Sequence, residues 1–310
     1  MRAVVIREFG PPAVLEPAEA AEVRAGPDEV VIDVALANVT FVETQVRAGK
    51  PPHPSMLPAL PAILGNGVGG TAAGRPVVAS LNGTGGYAER AVCPAARLLG
   101  VPAGLGLREA VALLADGRTA LALAARAQLR AGEVVLVEAA AGGVGTLLVQ
   151  LARNAGAQVV ALAGSQAKLS VARQLGAEVA VSYAGPGWPE QVRAAVGAVD
   201  AVFDGVGGDI GWDAFGLIGR GGRFCPFGMA SGSFAPVTPE LAAERGVSVL
   251  AGAGAIPEEL LVLAQAALAE AAAGRIRPVI GQEFELARAA DAHAAIEARA
   301  TVGKTLLTVA

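Results

Sequence analysis

The sequence predicts an α/β protein in which a doubly wound sheet of six parallel strands is inserted into a β-rich lobe. Three observations predict it. A strand, a glycine-rich turn and an apolar-striped helix follow one another between Glu133 and Gly156. From there to Leu250 short apolar strands alternate with helical spacing, at the period of stacked βα units. Strand-like segments lacking that alternation flank the region on both sides.

Taken in order, Met1 to Ile6 and Glu29 to Leu36 read as strands, with a turn at Gly26-Pro27-Asp28. Ala37 to Lys50 reads as a short polar–apolar segment, followed by the proline-rich loop PPHPSMLPALP, which cannot be helix. No strand runs into the cluster Gly65 to Gly70 and no amphipathic helix follows it, so it reads as close backbone packing rather than a phosphate site. Val77 to Leu81 and Tyr87 to Cys93 resume strand character around the turn Asn82 to Gly86. Leu107 to Gln128 has helical spacing, with an interruption expected at Asp116-Gly117-Arg118-Thr119.

Val134 to Val137, β-branched and leucine, suit a strand buried on both faces. Leu147, Leu148 and Leu151 stripe the next helix, Gly156 stops it, and Gln158 to Leu162 form the second strand. Helix Gln166 to Leu175, strand Glu178 to Ser182, helix Trp188 to Val196 and strand Asp200 to Phe203 continue the alternation. A helix from about Ile210 to Ile218 precedes the fifth strand, Gly222 to Cys225, and Val247 to Leu250 is the sixth. The chain closes with a helix from Pro257 to Ala273, a strand near Gln282 to Leu286, a helix through His293 and a strand at Thr305 to Val309. The lobes are drawn as 1–108 with 254–310, and 109–253.

At 310 residues the chain exceeds the usual size of one domain, roughly 100–200 residues. Charged residues are 17% of it, the net charge is −4 and the pI is near 5.4, which leaves no basic footprint for nucleic acid. The N-terminus turns charged within a few residues and no charge-free apolar run reaches spanning length, so neither secretion nor a membrane is expected, and the cytoplasm is. Cys93 and Cys225 are far apart in apolar surroundings and read as buried free thiols. His53 and His293 have no soft ligand near them in sequence, so no metal site is expected, and His53 reads as a surface histidine.

The motif Ala140-Ala141-Gly142-Gly143-Val144-Gly145 is GxGxxG with alanine in the first glycine's place. Where a strand turns sharply into a helix, residues without Cβ let a pyrophosphate meet bare N–H groups at the helix's positive end, which assigns a dinucleotide site. An NAD enzyme normally ends the second strand with an acid that binds the ribose hydroxyls and repels a 2′-phosphate. Ala161 to Lys168 contains none, and offers the Ser165 hydroxyl and the Lys168 ammonium instead. NADPH is therefore the expected cofactor.

Taken together, Phe41 to Gly49, Gly85-Gly86-Tyr87-Ala88-Glu89, Ala139 to Gly145, Asp204 to Gly208, Phe227-Gly228 and Gly303-Lys304 resemble the zinc-independent quinone oxidoreductases, the zeta-crystallin-like group of the medium-chain dehydrogenase/reductase superfamily. The similarity runs over nearly the whole chain. It implies a GroES-like β lobe split around a Rossmann-type lobe, NADPH as cofactor and a homodimer. It also implies that Gly142, Gly143, Val144 and Gly145 hold the pyrophosphate, and Ser165 and Lys168 the 2′-phosphate. Tyr183 would lie along the adenosine, and Phe227, Gly228, Met229 and Thr119 would line the nicotinamide. Zinc-dependent relatives carry a cysteine where Thr40 stands and a histidine–glutamate pair where Asn66-Gly67 stand. No Lewis acid is then expected.

Two pocket positions depart from the group. Thr40 and Gln45 stand where asparagine and tyrosine are usual, and the loop after Gly70 is about ten residues shorter. Gln45 is the candidate donor to a substrate carbonyl, with Thr40 and Asn66 as weaker candidates. The expected activity is hydride transfer to a small quinone or α,β-unsaturated carbonyl. The alternatives are reduction of an enoyl thioester, and a catalytically idle NADPH-binding protein.

Overall fold

The structure, a computed structural model, describes residues 1–81, 83–250 and 257–309. Asn82 of the expected turn and the expected boundary at 253/254 lie outside the described residues. Packing divides the chain into two compact units, Met1–Gly117 with Ala264–Ala310, and Arg118–Leu263.

The first unit is built on the eleven-residue strand Glu29–Val39. Along its first half it pairs with Arg90–Pro94, and along its second half with Gly67–Ala72 on one side and Lys304–Thr308 on the other. Arg75–Ser80, Leu99–Gly100 and Ile280–Glu285 complete a seven-stranded sheet. A separate three-stranded sheet joins Glu16–Glu19, Arg2–Ile6 and Ala62–Ile63. Ile6, Ile32, Leu64, Val68, Tyr87 and Leu307 share one buried core. The glycine cluster serves packing, as its sequence context predicts: a Cβ on Gly70 would run into the Asp33 carbonyl, and one on Gly67 into the Asn38 amide.

The short segment Ala37 to Lys50 resolves into the end of the long strand, which continues to Val39, and a helix, Phe41–Arg47, that starts at once. Thr40 and Glu43 form a full capping box there, each side chain bonded to the other's backbone N–H. The break expected at Asp116 to Thr119 is absent, since one helix runs from Leu107–Ala127. Glycine in a helix costs about 1 kcal/mol against alanine. Here bare Gly117 admits the helix Pro257–Ala272, for a Cβ would come within 2.7 Å of the Ala267 methyl. Asp116, the charge that would favour leaving the helix, meets Lys304 Nζ at 3.0 Å.

The second unit holds six parallel strands, Val134–Val137, Gln158–Ala163, Val179–Ser182, Val199–Asp204, Ile218–Pro226 and Ser248–Val249. Numbered along the chain they lie in the order 3-2-1-4-5-6, the doubly wound arrangement that the alternating pattern predicts. The fifth strand begins four residues earlier than expected and the preceding helix is Gly208–Phe215. Leu136, Val160, Leu162, Val202, Phe215 and Phe224 form the core, each contributing about 1.5–3 kcal/mol by leaving water. Between the first and fourth strands the winding reverses, and a crevice at their carboxyl ends is where such sheets bind ligands. Among the described residues no helix is long and apolar enough to cross a membrane.

The Asp116–Lys304 pair is nearly buried, with side-chain exposures of 13% and 4%. Asp116→Ala should cost about 3 kcal/mol in urea unfolding, because it strands a buried ammonium, and adding Lys304→Met should recover most of the loss.

Candidate functional site

The glycine-rich turn is shaped by one close approach. After Val137 the chain passes through Ala139 at φ 46°, and Gly142 caps the helix Gly143–Asn154. A Cβ on Gly145 would be driven into the Ala139 carbonyl oxygen, so only glycine lets the helix press its first turn onto the turn below. Ala140 fills the first glycine's place without strain, fully buried, with its N–H donated to Leu162 O at 3.0 Å. The N–H groups of Gly143, Val144 and Gly145 thus open a helix at the switch point of the sheet, the geometry that receives a phosphate.

At the end of the second strand the next helix, Gln166–Leu175, has no acid in its first turn. Ser165 is its N-cap, accepting the Lys168 N–H at 3.4 Å, so the hydroxyl and the lysine share one exposed helix start. The Tyr183 ring lies against Gly164, where a Cβ would sit 3.4 Å from its edge. Ser165 and Lys168 follow the second strand and Tyr183 the third, its neighbour in the sheet.

The fourth strand ends in Asp204, whose main-chain oxygen accepts the N–H groups of Phe227 at 2.8 Å and Gly228 at 3.2 Å. The Phe227 ring packs over Gly205, where a Cβ would come within 2.7 Å of it. Phe227 and Gly228 are thereby fixed to the turn Asp204 to Gly208, and half-buried Met229 follows. Thr119 sits half-buried in its uninterrupted helix rather than at a break.

In the first unit Glu43 gathers two of the three substrate-pocket candidates. Its fully buried carboxyl accepts the Thr40 N–H at 2.6 Å and the Asn66 N–H at 2.7 Å. Asn66 Oδ1 in turn accepts the Gly83 N–H at 2.9 Å. Gln45 stands half-buried on the same helix and is not tied to Glu43. The Tyr87 hydroxyl bonds Glu43 at 3.3 Å and His293 Nε2 at 3.0 Å, so the helix Phe41–Arg47, the Tyr87 loop and the helix Ala289–Glu297 meet at one polar chain. Burial raises the Glu43 carboxyl above the ordinary range, and burial with Glu43 beside it raises Tyr87 well above its own. His293 is pushed down to about 3 by burial and by the charge of Arg47. It is neutral, and with Nδ1 unpartnered the proton belongs on Nε2, donated to the Tyr87 oxygen while Tyr87 donates to Glu43.

A family model described as zinc-binding dehydrogenase matches residues 143–259. Quinone oxidoreductase-like protein 2 of Bos taurus is 33% identical, over 99% of this chain and 92% of that protein. The chain belongs to the quinone oxidoreductase-like group of medium-chain dehydrogenases/reductases. A mycobacterial structure complexed with NADPH is 30% identical, covering 99% of both chains at a TM-score of 0.89. The quinone oxidoreductase of Thermus thermophilus, described also in its NADPH complex, is 34% identical, over 99% of this chain and 100% of that one, at a TM-score of 0.83.

The zinc-binding description covers residues 143–259, all within the Arg118–Leu263 unit, and does not touch Thr40 or Asn66. In this quinone oxidoreductase-like chain no group of three or more His, Cys, Asp or Glu is placed to hold a metal among the described residues. Cys93 and Cys225 are free and buried, and burial pushes Cys225 up to about 12, far from a reactive thiolate. His53 is exposed and bonds Ser55 at 2.7 Å.

Sequence reasoning missed the Glu43–Tyr87–His293 chain, although Thr40-x-x-Glu43 carried a capping-box signal. His293 makes folding pH-dependent. Between pH 6.5 and about 3 the unfolded chain binds a proton there that the folded chain refuses, so stability is lost as the pH falls through that window. As the pH falls, the unfolding free energy of wild type from urea titrations should fall more steeply than that of His293→Asn, by up to about 1.4 kcal/mol per pH unit.

Proposed function

We propose that the chain is an NADPH-dependent oxidoreductase that delivers hydride to a quinone or an α,β-unsaturated carbonyl without zinc. The observation that carries the cofactor is the helix start at Ser165 and Lys168, where a hydroxyl and an ammonium stand and no acid does. A dianionic 2′-phosphate is favoured there by charge and by the helix's positive end, and the first turn lacks the carboxylate that would repel it.

In this reading the Arg118–Leu263 unit binds the dinucleotide. The backbone of Gly142 to Gly145 holds the pyrophosphate, Tyr183 lies along the adenosine, and Phe227, Gly228, Met229 and Thr119 line the nicotinamide. When bound, the reduced nicotinamide supplies the hydride. The protein's task is to hold the acceptor in register and to stabilise the charge that collects on its oxygen. The Gln45 amide N–H donates to that oxygen. Thr40 has accepted a backbone N–H and keeps its own proton to donate, and Asn66 keeps its amide N–H. Water protonates the resulting enolate or quinol anion, so no acid residue is required. Two buried free thiols suit a reducing cytoplasm, and a homodimer follows from the family resemblance.

Anaerobic NADPH oxidation with 9,10-phenanthrenequinone, cyclohexenone and crotonyl-CoA separates the possible activities. Turnover of the first two supports this reading, preference for crotonyl-CoA supports an enoyl-thioester reductase, and NADPH binding with no turnover supports an idle binding protein. Lys168→Ala should weaken NADPH by roughly 10-fold or more while leaving NADH within about twofold, since only the former loses a charged hydrogen bond. Equal losses would remove Lys168 from the 2′-phosphate site.

A further inference from the structure

Beneath the turn that carries the nicotinamide side of the site lie two carboxyl groups, Glu138 at the end of the first strand and Asp204 at the end of the fourth. Both are 0% exposed. The strands are neighbours, with Phe203 beside Val137, so the next residue of each faces the other across the switch point. Asp204 Oδ1 accepts the N–H groups of Val206 at 3.0 Å and Gly207 at 2.6 Å, and Glu138 Oε2 shares the Val206 N–H at 3.1 Å. The remaining oxygens, Glu138 Oε1 and Asp204 Oδ2, meet no donor among the described residues.

The two carboxyls meet at the Val206 N–H, to which both are bonded, and each leaves one oxygen without a donor among the described residues. Two ionised carboxylates so placed would repel each other in a medium that screens poorly. Negative charge is better held at Asp204, which accepts two backbone N–H groups and precedes the helix Gly208–Phe215. Glu138 has half a share in one N–H group. We propose that Glu138 carries the proton and donates it to Asp204, and that this pair is the positioning device holding the turn Asp204 to Gly208, with Phe227 and Gly228 bound to it, in the shape the nicotinamide requires. The positioning role rests on the cofactor reading above. Burial and the neighbouring Asp204 raise Glu138 well above the usual carboxylate range, and Asp204 is the titratable group whose charge acts on it.

Glu138→Gln and Glu138→Met, compared with wild type, test this. Glutamine keeps a neutral acceptor for Val206 and a donor for Asp204, whereas methionine keeps the volume and removes both. Calorimetry should give Glu138→Gln an NADPH affinity within about twofold of wild type, and Glu138→Met a loss of roughly 10-fold or more, the usual cost of a buried unpaired group. Binding of 2′,5′-ADP, which lacks the nicotinamide half, should be unchanged in both. A Glu138→Gln loss as large as that of Glu138→Met, or a Glu138→Met loss shared equally by 2′,5′-ADP, would overturn the positioning role.

Urea stability against pH tests the shared proton without any cofactor. Relative to Glu138→Gln, in which the opposing slope of His293 and the slope of Glu43 are unchanged, wild type should lose stability as the pH rises above the ordinary glutamate range toward the raised value, because its folded chain keeps a proton that the unfolded chain releases. A stability difference between wild type and Glu138→Gln that does not change with pH would overturn the shared proton. Wild type that binds neither NADPH nor 2′,5′-ADP would overturn the cofactor reading and the positioning role together, leaving the pH profile to judge the proton.

Discussion

The Arg118–Leu263 unit depends on how closely a helix can approach the end of a buried strand. At Gly145 the helix rests on the Ala139 carbonyl with no room for a Cβ, and Ala139 takes a left-handed φ of 46° to bring that carbonyl there. If the helix were displaced by the width of a methyl group, its free N–H groups would no longer converge on one point above the sheet. The strands on either side carry the rest of the site on the same edge. Tyr183, Ser165 and Lys168 follow the second and third strands, and Asp204 and Phe227 follow the fourth and fifth.

What the sequence reveals and what it hides divide along a physical line. The parallel strands are legible because strands covered on both faces are apolar without interruption, as in Val134 to Val137. The glycine turn is legible because its context is local. The continuity of Leu107–Ala127 is not local. Asp116 and Gly117 favour a break taken alone, and only the approach of Ala267 and the charge of Lys304, about 150 and 190 residues away, make them good helix residues there. Tertiary partners override propensity at those two positions.

The polar chains hide for the same reason. Glu43, Tyr87 and His293 are separated by 44 and 206 residues, and no local pattern joins them. Glu138 and Asp204 are 66 residues apart and meet because the sheet reverses its winding between their strands. A lone glutamate after a run of valines reads as a strand end. It takes the sheet order to see that a second carboxyl faces it. Each unit therefore places a buried carboxyl under its candidate site and uses it to hold backbone N–H groups, of Thr40 and Asn66 in one case and of Val206 in the other.

In the proposed reading the two units impose different kinds of selectivity. There Lys168 recognises charge, and a charged hydrogen bond to a phosphate contributes about 1.5–3 kcal/mol, enough to separate cofactors by one or two powers of ten. Gln45 offers a neutral amide, and a neutral hydrogen bond contributes about 0.5–1.5 kcal/mol whichever carbonyl receives it. Quinones, enones and enoyl thioesters all present such a carbonyl. In that reading, choice among them comes from the shape of the pocket walls, where the family resemblance places Thr40, Gln45 and the loop after Gly70. A chain arranged in this way should hold its cofactor preference strictly and accept a family of electron-poor acceptors loosely, because charge discriminates in steps while apolar shape discriminates by about 1–3 kcal/mol per methylene group.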